Sequence, residues 1–294
     1  MQHLQSEFDS LVGGKDKTID RRDFIKTAVG VGFAAAVLPV CAKTLIRTDA
    51  EGLKDGEFTL EIAGQPVPVY MAQPKDKENL PVVIVISEIF GLHEHITDVV
   101  RRFAKQGYLA VAPELFIRQG DPSIYDNIAQ IMKEVVSKVP DKQVLGDLDA
   151  CVAWAKRNGG NPDKIAVAGF CWGGRFAWLY AAHNPSIKAG VAWYGRLTSD
   201  TAPSALNPEN PIDIAPTLTT PMLGLYGGKD PGISMASIQQ MKDALAKGAS
   251  LSEIVVYPKS GHAFHADYRP SYVADDAKDS WKRCLEWLRA HGVE

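Results

Sequence analysis

The stretch IAVAGFCWGGRF, residues Ile165–Phe176, changes character half-way along. Ile165–Gly169 is a short continuous apolar run, the pattern of a strand buried on both faces. Arg175–His183 carries apolar residues at helical spacing. Between the two, Gly169-Phe170-Cys171-Trp172-Gly173 sets one thiol between glycines, the G-x-nucleophile-x-G pattern with cysteine in the place of serine. The spacing has a physical reason. A strand that turns sharply into a helix brings together the positions two residues either side of the nucleophile, where side chains would collide. The nucleophile itself is pressed into a strained backbone conformation above the sheet. The helix that follows aims its first amides at the sulfur, which favours a thiolate and a developing oxyanion.

A cysteine between glycines also suits a core position, so the partners decide. Met222–Tyr226 is an apolar strand pattern running into Gly227-Gly228-Lys229-Asp230. Ile254–Tyr257 is another, followed by Pro258-Lys-Ser-Gly-His262. Nucleophile, acid and histidine thus come in the chain order Cys171, Asp230, His262, each just past a predicted strand. That is the order of the α/β-hydrolases. His262 would take the thiol proton and later activate water; Asp230 would fix its tautomer and stabilise the imidazolium.

The rest of the body agrees with an α/β fold. Phe58–Ala63 and Val67–Ala72 alternate around Gly64-Gln65 and read as a hairpin. Pro81–Ile86, Tyr108–Ala112 and Ala189–Trp193 are further buried-strand runs. Helical patterns fall between them at Ile96–Gln106, Ile128–Lys138, Val144–Arg157, Met235–Lys247 and Val273–Ala290. This alternation predicts a mostly parallel sheet with helices on both faces and a site at the carboxyl ends of its strands. Cys151 and Cys284 fall on helical apolar faces and are expected in the core.

The first forty residues read as an address. Asp20-Arg21-Arg22-Asp23-Phe24-Ile25-Lys26 precedes a mildly apolar run, Ala28–Ala42, and resembles a twin-arginine (Tat) export signal. That run falls short of the ~20 residues that span a bilayer, so no stable membrane span is expected. Val40-Cys41-Ala42 suits cleavage after Ala42. An amphipathic N-terminal helix is the competing reading. The expected organisation is a signal segment over 1–42, a linker over 43–57 and one domain over 58–294. The expected location is the periplasm, reached through the Tat machinery by way of Arg21 and Arg22, with N-terminal anchoring as the variant.

Composition excludes other classes. A formal net charge of −3 without a basic stripe argues against nucleic-acid binding. The four cysteines form no CxxC pair and no zinc-spaced set with histidine, so neither a metal nor another cofactor is expected. His93, His95 and His265 read as loop and surface residues.

From about Phe58 to the C-terminus the chain resembles the dienelactone hydrolases (carboxymethylenebutenolidases). The resemblance rests on Ser87-Glu-Ile-Phe-Gly-Leu92, Ala112-Pro-Glu-Leu-Phe-Ile-Arg118, Gly169-Phe-Cys-Trp-Gly-Gly174, Gly227-Gly-Lys-Asp230 and Gly261-His-Ala-Phe264. It implies an eight-stranded α/β-hydrolase sheet without a large cap domain. It also implies roles that spacing does not give. Glu88 would contact the resting thiol and keep it neutral, as a neighbouring carboxylate does. The backbone amides of Ile89 and Trp172 would form the oxyanion hole. Arg118 would hold a substrate carboxylate. The family's second arginine falls here on Ala266, with Arg269 three residues on as the substitute. The expected activity is hydrolysis of an ester or lactone, dienelactone-like and carboxylate-bearing, through Cys171, Asp230 and His262. The alternatives are a broad carboxylesterase or thioesterase, and a non-catalytic periplasmic binding protein on the same fold.

Overall fold

The hairpin forms, and it starts earlier than the alternation suggests. β1 (Leu53–Ile62) and β2 (Gln65–Pro74) pair antiparallel from Leu53↔Pro74 to Ile62↔Gln65. Ala63 and Gly64 turn the chain with φ of 52° and 75°, the left-handed pair that a two-residue hairpin needs. The computed structural model describes residues 44–199 and 201–294. Arg21, Arg22 and the expected cleavage site after Ala42 lie outside the described residues.

The stretch expected as a linker is partly built into the domain. Residues 53–57 belong to β1. Thr48 N–H donates to Asp98 Oδ1 at 2.5 Å, Arg101 Nε donates to the Thr48 carbonyl at 2.9 Å, and Thr44 Oγ1 donates to the Asp267 carbonyl at 2.5 Å. Polar backbone laid along a charged helix is held there by hydrogen bonds that alternating apolar patterns do not report.

After the hairpin come β3 (Leu80–Ile86), α1 (Glu94–Lys105), β4 (Leu109–Pro113), α2 (Ile128–Glu134), α3 (Asp141–Arg157), β5 (Gly160–Phe170) and α4 (Trp172–His183). β6 (Ile187–Trp193), α5 (Pro211–Ile214), β7 (Met222–Gly227), α6 (Met235–Leu245), β8 (Glu253–Tyr257) and α7 (Ala274–Ala290) complete the chain. The eight strands form one sheet in the order β1-β2-β4-β3-β5-β6-β7-β8. β2 meets β4 antiparallel, and from β4 onward every neighbour is parallel. No separate cap domain interrupts the sheet among the described residues.

The parallel strands are apolar because both their faces are covered. Val82–Ile86 and Ile165–Ala168 are fully buried. α7 turns Ala277, Cys284 and Leu288 inward, and Cys151 of α3 is likewise fully inside. Burial pushes both thiols well above the ordinary cysteine range, so each behaves as a small apolar residue. Truncating a side chain such as Leu288 to alanine would cost about 2–5 kcal/mol. The helix expected over 128–138 breaks at Val135, whose φ of −122° leaves the α region, and resumes as a 3₁₀ turn over Val136–Lys138. The break lets Val135 and Val136 both face inward. Among the described residues no helix is long and apolar enough to cross a membrane.

Candidate active site

The elbow has the geometry its glycines call for. Cys171 lies between β5 and α4 with φ 55° and ψ −116°. That conformation is strained for any residue with a Cβ, and it lifts the thiol out of the sheet. A Cβ on Gly169 would fall 2.0 Å from the Gly173 carbonyl oxygen, and one on Gly173 would fall 2.3 Å from that of Ile86. The Cys171 amide donates to the Trp193 carbonyl at 3.0 Å, which ties the elbow to β6. The thiol is half-buried.

The carboxyl ends of β7 and β8 bring the partners. Asp230 follows β7 and is held by the Gly232 amide, which donates to Oδ1 at 2.8 Å. His262 Nδ1–H donates to Asp230 Oδ2 at 2.7 Å. A carboxylate oxygen can only accept, so this bond fixes a proton on Nδ1 and leaves Nε2 as the nitrogen that gains or loses one. Burial on its own would lower the imidazole's pKa. The facing Asp230 carboxylate, hydrogen-bonded to the ring, and then the Cys171 sulfur outweigh it and hold His262 well above the ordinary histidine range. Cys171 and His262 line one cavity of about 340 Å³, so the structure brings together all three residues named from the sequence.

Ile89 and Trp172 line the same cavity. Among the described residues no backbone hydrogen bond uses either amide. Two such donors beside a nucleophile are what a tetrahedral oxyanion requires. The loop that carries Ile89 is braced from behind by Glu114. Leu92 N–H donates to Glu114 Oε2 at 2.6 Å and Phe116 N–H to Oε1 at 3.0 Å. Gly91, at φ 72°, lies so close that a Cβ there would come within 2.4 Å of the carboxylate. Burial raises the Glu114 pKa to about 7 against the pull of those two amides.

Three of the expected residues have partners other than those the resemblance implied. Glu88 is buried, but its carboxylate accepts the Tyr268 hydroxyl at 2.5 Å, and the described hydrogen bonds do not give it to Cys171. Arg118 does not reach the cavity. Its guanidinium forms a two-pronged ion pair with Asp147 of α3, at 2.6 and 3.0 Å, and also donates to the Ile62 carbonyl. Burial raises the Asp147 carboxyl above its ordinary range, and this cation offsets part of the rise. Arg269 is 3% exposed and lies over the Phe90 and Tyr268 rings at 5.5 and 5.8 Å, outside the cavity wall. The three histidines read as surface residues are also buried. His95 faces Asp267 at 3.3 Å, His93 lies 3.8 Å from Glu88, and His265 stacks on Phe170 with ring centroids 5.6 Å apart. Each has an aromatic or acidic neighbour from a distant part of the chain, Tyr268 in the case of His93, which makes the interior tolerable.

A family profile described as the dienelactone hydrolase family matches residues 67–292. The chain belongs to the dienelactone hydrolase family. Members of this family are carboxylic-ester hydrolases on the α/β-hydrolase fold. A provisionally named carboxymethylenebutenolidase of Methylorubrum extorquens AM1 is 55% identical over 277 residues, covering 94% of both chains. One from Escherichia coli K12, named in the same way, is 51% identical over 262 residues, covering 89% of this chain and 96% of its own. The crystal structure of a provisionally named dienelactone hydrolase from Klebsiella pneumoniae superposes with a TM-score of 0.78 at 52% identity. It covers 81% of this chain and 98% of that one.

Within this dienelactone hydrolase scaffold the stretch after β6 was not anticipated as part of the site. Tyr194 follows β6 with φ 38°, its ring 5.1 Å from that of His262. Arg196, Ser199, Thr201, Ser204 and Asn207 then line the cavity. Their position directly after the apolar run Ala189–Trp193 was the available signal, since sites form where parallel strands end. The stretch is tied down by Arg175 of α4. Its guanidinium donates to Asp141 at 2.8 and 2.7 Å and to the Glu209 carbonyl at 2.6 Å. Asn207 Nδ2 donates to the same Asp141 at 2.8 Å.

Proposed function

We propose that the protein hydrolyses a carboxylic ester or lactone through a thioester on Cys171. The observation that carries this is His262, hydrogen-bonded to Asp230 and lining one cavity with Cys171, Ile89 and Trp172. His262 takes the thiol proton as Cys171 Sγ attacks the carbonyl carbon, and the oxyanion forms against the Ile89 and Trp172 amides. The tetrahedral intermediate collapses, the ester oxygen leaves with the proton held on His262, and the acyl group stays on sulfur. Water then gives a proton to His262 and its oxygen to the acyl carbon. The second intermediate releases the acid and returns the proton to the thiolate. Asp230 stabilises the imidazolium in both halves.

The test is steady-state hydrolysis of a neutral aryl acetate beside a dienelactone, with wild type and Cys171→Ala. The expected loss is about 10⁴-fold or more, with an acyl adduct mapped to Cys171 in quenched wild type. Retained turnover in Cys171→Ala overturns the thiol mechanism. Binding of small acids without turnover of any ester favours a binding protein.

We also propose export to the periplasm by the twin-arginine route, supported by the Arg21-Arg22 pair and the weakly apolar run after it. Changing both arginines to lysine should leave the protein in the cytosolic fraction; unchanged fractionation refutes it.

A further inference from the structure

Resting on the hydrolase reading above, we infer that Tyr194 is a further catalytic residue, whose hydroxyl donates a hydrogen bond to Cys171 Sγ whenever that sulfur carries negative charge. The donor acts twice in a turnover. It favours the thiolate as Cys171 loses its proton to His262, and it favours the same thiolate as the acyl group leaves the sulfur.

One peptide unit ties the two residues together. The Trp193 carbonyl accepts the Cys171 amide at 3.0 Å, and the Tyr194 amide, across the same peptide bond, donates to the Leu225 carbonyl at 2.8 Å. Tyr194 is held at φ 38°, a left-handed conformation that a bulky residue adopts only where its surroundings impose it. Gly195 then lies against the start of α4, where a Cβ would fall 2.3 Å from the Gly174 carbonyl carbon. The backbone thus turns the Tyr194 ring into the wall of the cavity that holds Cys171. The ring is fully buried, with its centroid 5.1 Å from that of His262 and 5.5 Å from that of Phe264. Among the described residues its hydroxyl has no hydrogen-bond partner. A buried hydroxyl left unpaired is costly and uncommon. A neutral thiol is a weak acceptor, whereas a thiolate is a strong one. The groups facing the phenol are Glu88 from beyond β3, Cys171 from the elbow, and His262, Tyr268 and Arg269 from the stretch after β8. Burial first, then Glu88, Tyr268 and Cys171, hold the phenol well above the ordinary tyrosine range against the pull of Arg269. The hydroxyl therefore keeps its hydrogen at every working pH and acts as a donor alone. Cys171 S–H gives its proton to His262 Nε2, the sulfur keeps the electron pair, and the Tyr194 O–H points at that pair without breaking. Glu88 is the competing acceptor; one of its oxygens already takes the Tyr268 hydroxyl at 2.5 Å.

The test follows alkylation of Cys171 by iodoacetamide against pH, mapped by mass spectrometry, and so does not depend on hydrolysis. In Tyr194→Phe the midpoint of the rate profile should lie about one pH unit above that of wild type, because a thiolate deprived of a donor forms less readily. Above both midpoints the variant should react about three-fold faster, since the nucleophilicity of a thiolate rises with its basicity along a slope of about 0.4–0.5. A residue that merely packs against the site would not produce those two effects together. Tyr194→3-fluorotyrosine keeps the ring and the hydroxyl, so it remains informative should the phenylalanine variant fail to fold. Its more acidic O–H is the stronger donor and should move the midpoint down. A midpoint that stays put in both variants overturns the assignment. So does one that falls in Tyr194→Phe, which would give the hydroxyl to Glu88, because a carboxylate without that donor opposes the thiolate less. On 4-nitrophenyl acetate, below the midpoint, kcat/KM should drop about three-fold or more in Tyr194→Phe. If the alkylation midpoint moves as expected while no ester is turned over, the hydrolase reading fails and the donor stands. If esters are turned over and the midpoint does not move, the donor alone fails.

Discussion

Glu114→Gln isolates the brace behind the loop that carries Ile89, and its effect has a sign that pH alone reveals. The carboxylate accepts the Leu92 and Phe116 amides, and burial lifts its pKa from the ordinary 4.5 to about 7. Between those two values the folded protein keeps a proton that the unfolded chain has released. A carboxyl raised in this way favours the fold fully below about pH 4.5 and loses that contribution as pH rises through about 7. At about 1.4 kcal/mol for each pH unit across that interval, the contribution is about 3 kcal/mol. Glutamine does not titrate. Its loss of a charge-assisted acceptor is a fixed offset, and only the wild-type stability should slope. Urea unfolding of both proteins from about pH 4.5 to pH 8 should therefore show their difference moving by about 3 kcal/mol in favour of Glu114→Gln as pH rises. A difference that is flat across the range, or one that moves the other way, refutes the account of Glu114 as a buried carboxyl held against the loop.

Asp230→Asn should lower the His262 pKa, read from its imidazole resonances by NMR, because the anion that outweighs burial is gone. It should also cut kcat about 10³-fold or more without unfolding the protein. Gly169→Ala forces a Cβ to within 2.0 Å of the Gly173 carbonyl, so thermal unfolding should show a loss of about 3 kcal/mol or more. Arg118→Gln strands the buried Asp147 carboxylate and should cost about 2–4 kcal/mol in denaturant unfolding; a neutral effect would return Arg118 to the list of substrate ligands. Tyr268→Phe removes the donor to Glu88 and should cost about 1–3 kcal/mol, measured in the same way, unless Glu88 finds the thiol in its place.

What was legible in the sequence follows from which interactions are local. The elbow needs glycines at fixed positions around Cys171, so its geometry is written in five consecutive residues. The buried strands show as apolar runs because both their faces are covered, and the acid and histidine stand just beyond two of them. Charged pairs between distant elements leave no such trace. Arg118 meets Asp147 at a separation of 29 residues, and Tyr268 meets Glu88 at a separation of 180. No local pattern shows which arginine turns inward, and a carboxylate on the neighbouring helix was enough to claim Arg118. The histidines read as surface residues for the same reason: their polarity is visible in the sequence, but the Asp267, Tyr268 and Phe170 beside them are not. The stretch after β6 has neither period, and its polar residues resemble an ordinary connection until β6 places them above Cys171.

The Arg175–Asp141 pair joins two parts of the molecule that can otherwise vary separately. Arg175 lies four residues past Cys171 on α4, and through Asp141, Asn207 and Glu209 it fixes the base of the stretch that covers the cavity. Between that base and β6, the described residues among 196–206 carry no strand of the sheet and include none of Cys171, Asp230 and His262. Lineages, or engineers, can rewrite those few positions for a different acid or a neutral ester while the bond-breaking machinery stays as it is. The same tether sets a limit: a change that frees Arg175 would loosen the cavity wall and the helix that follows Cys171 together.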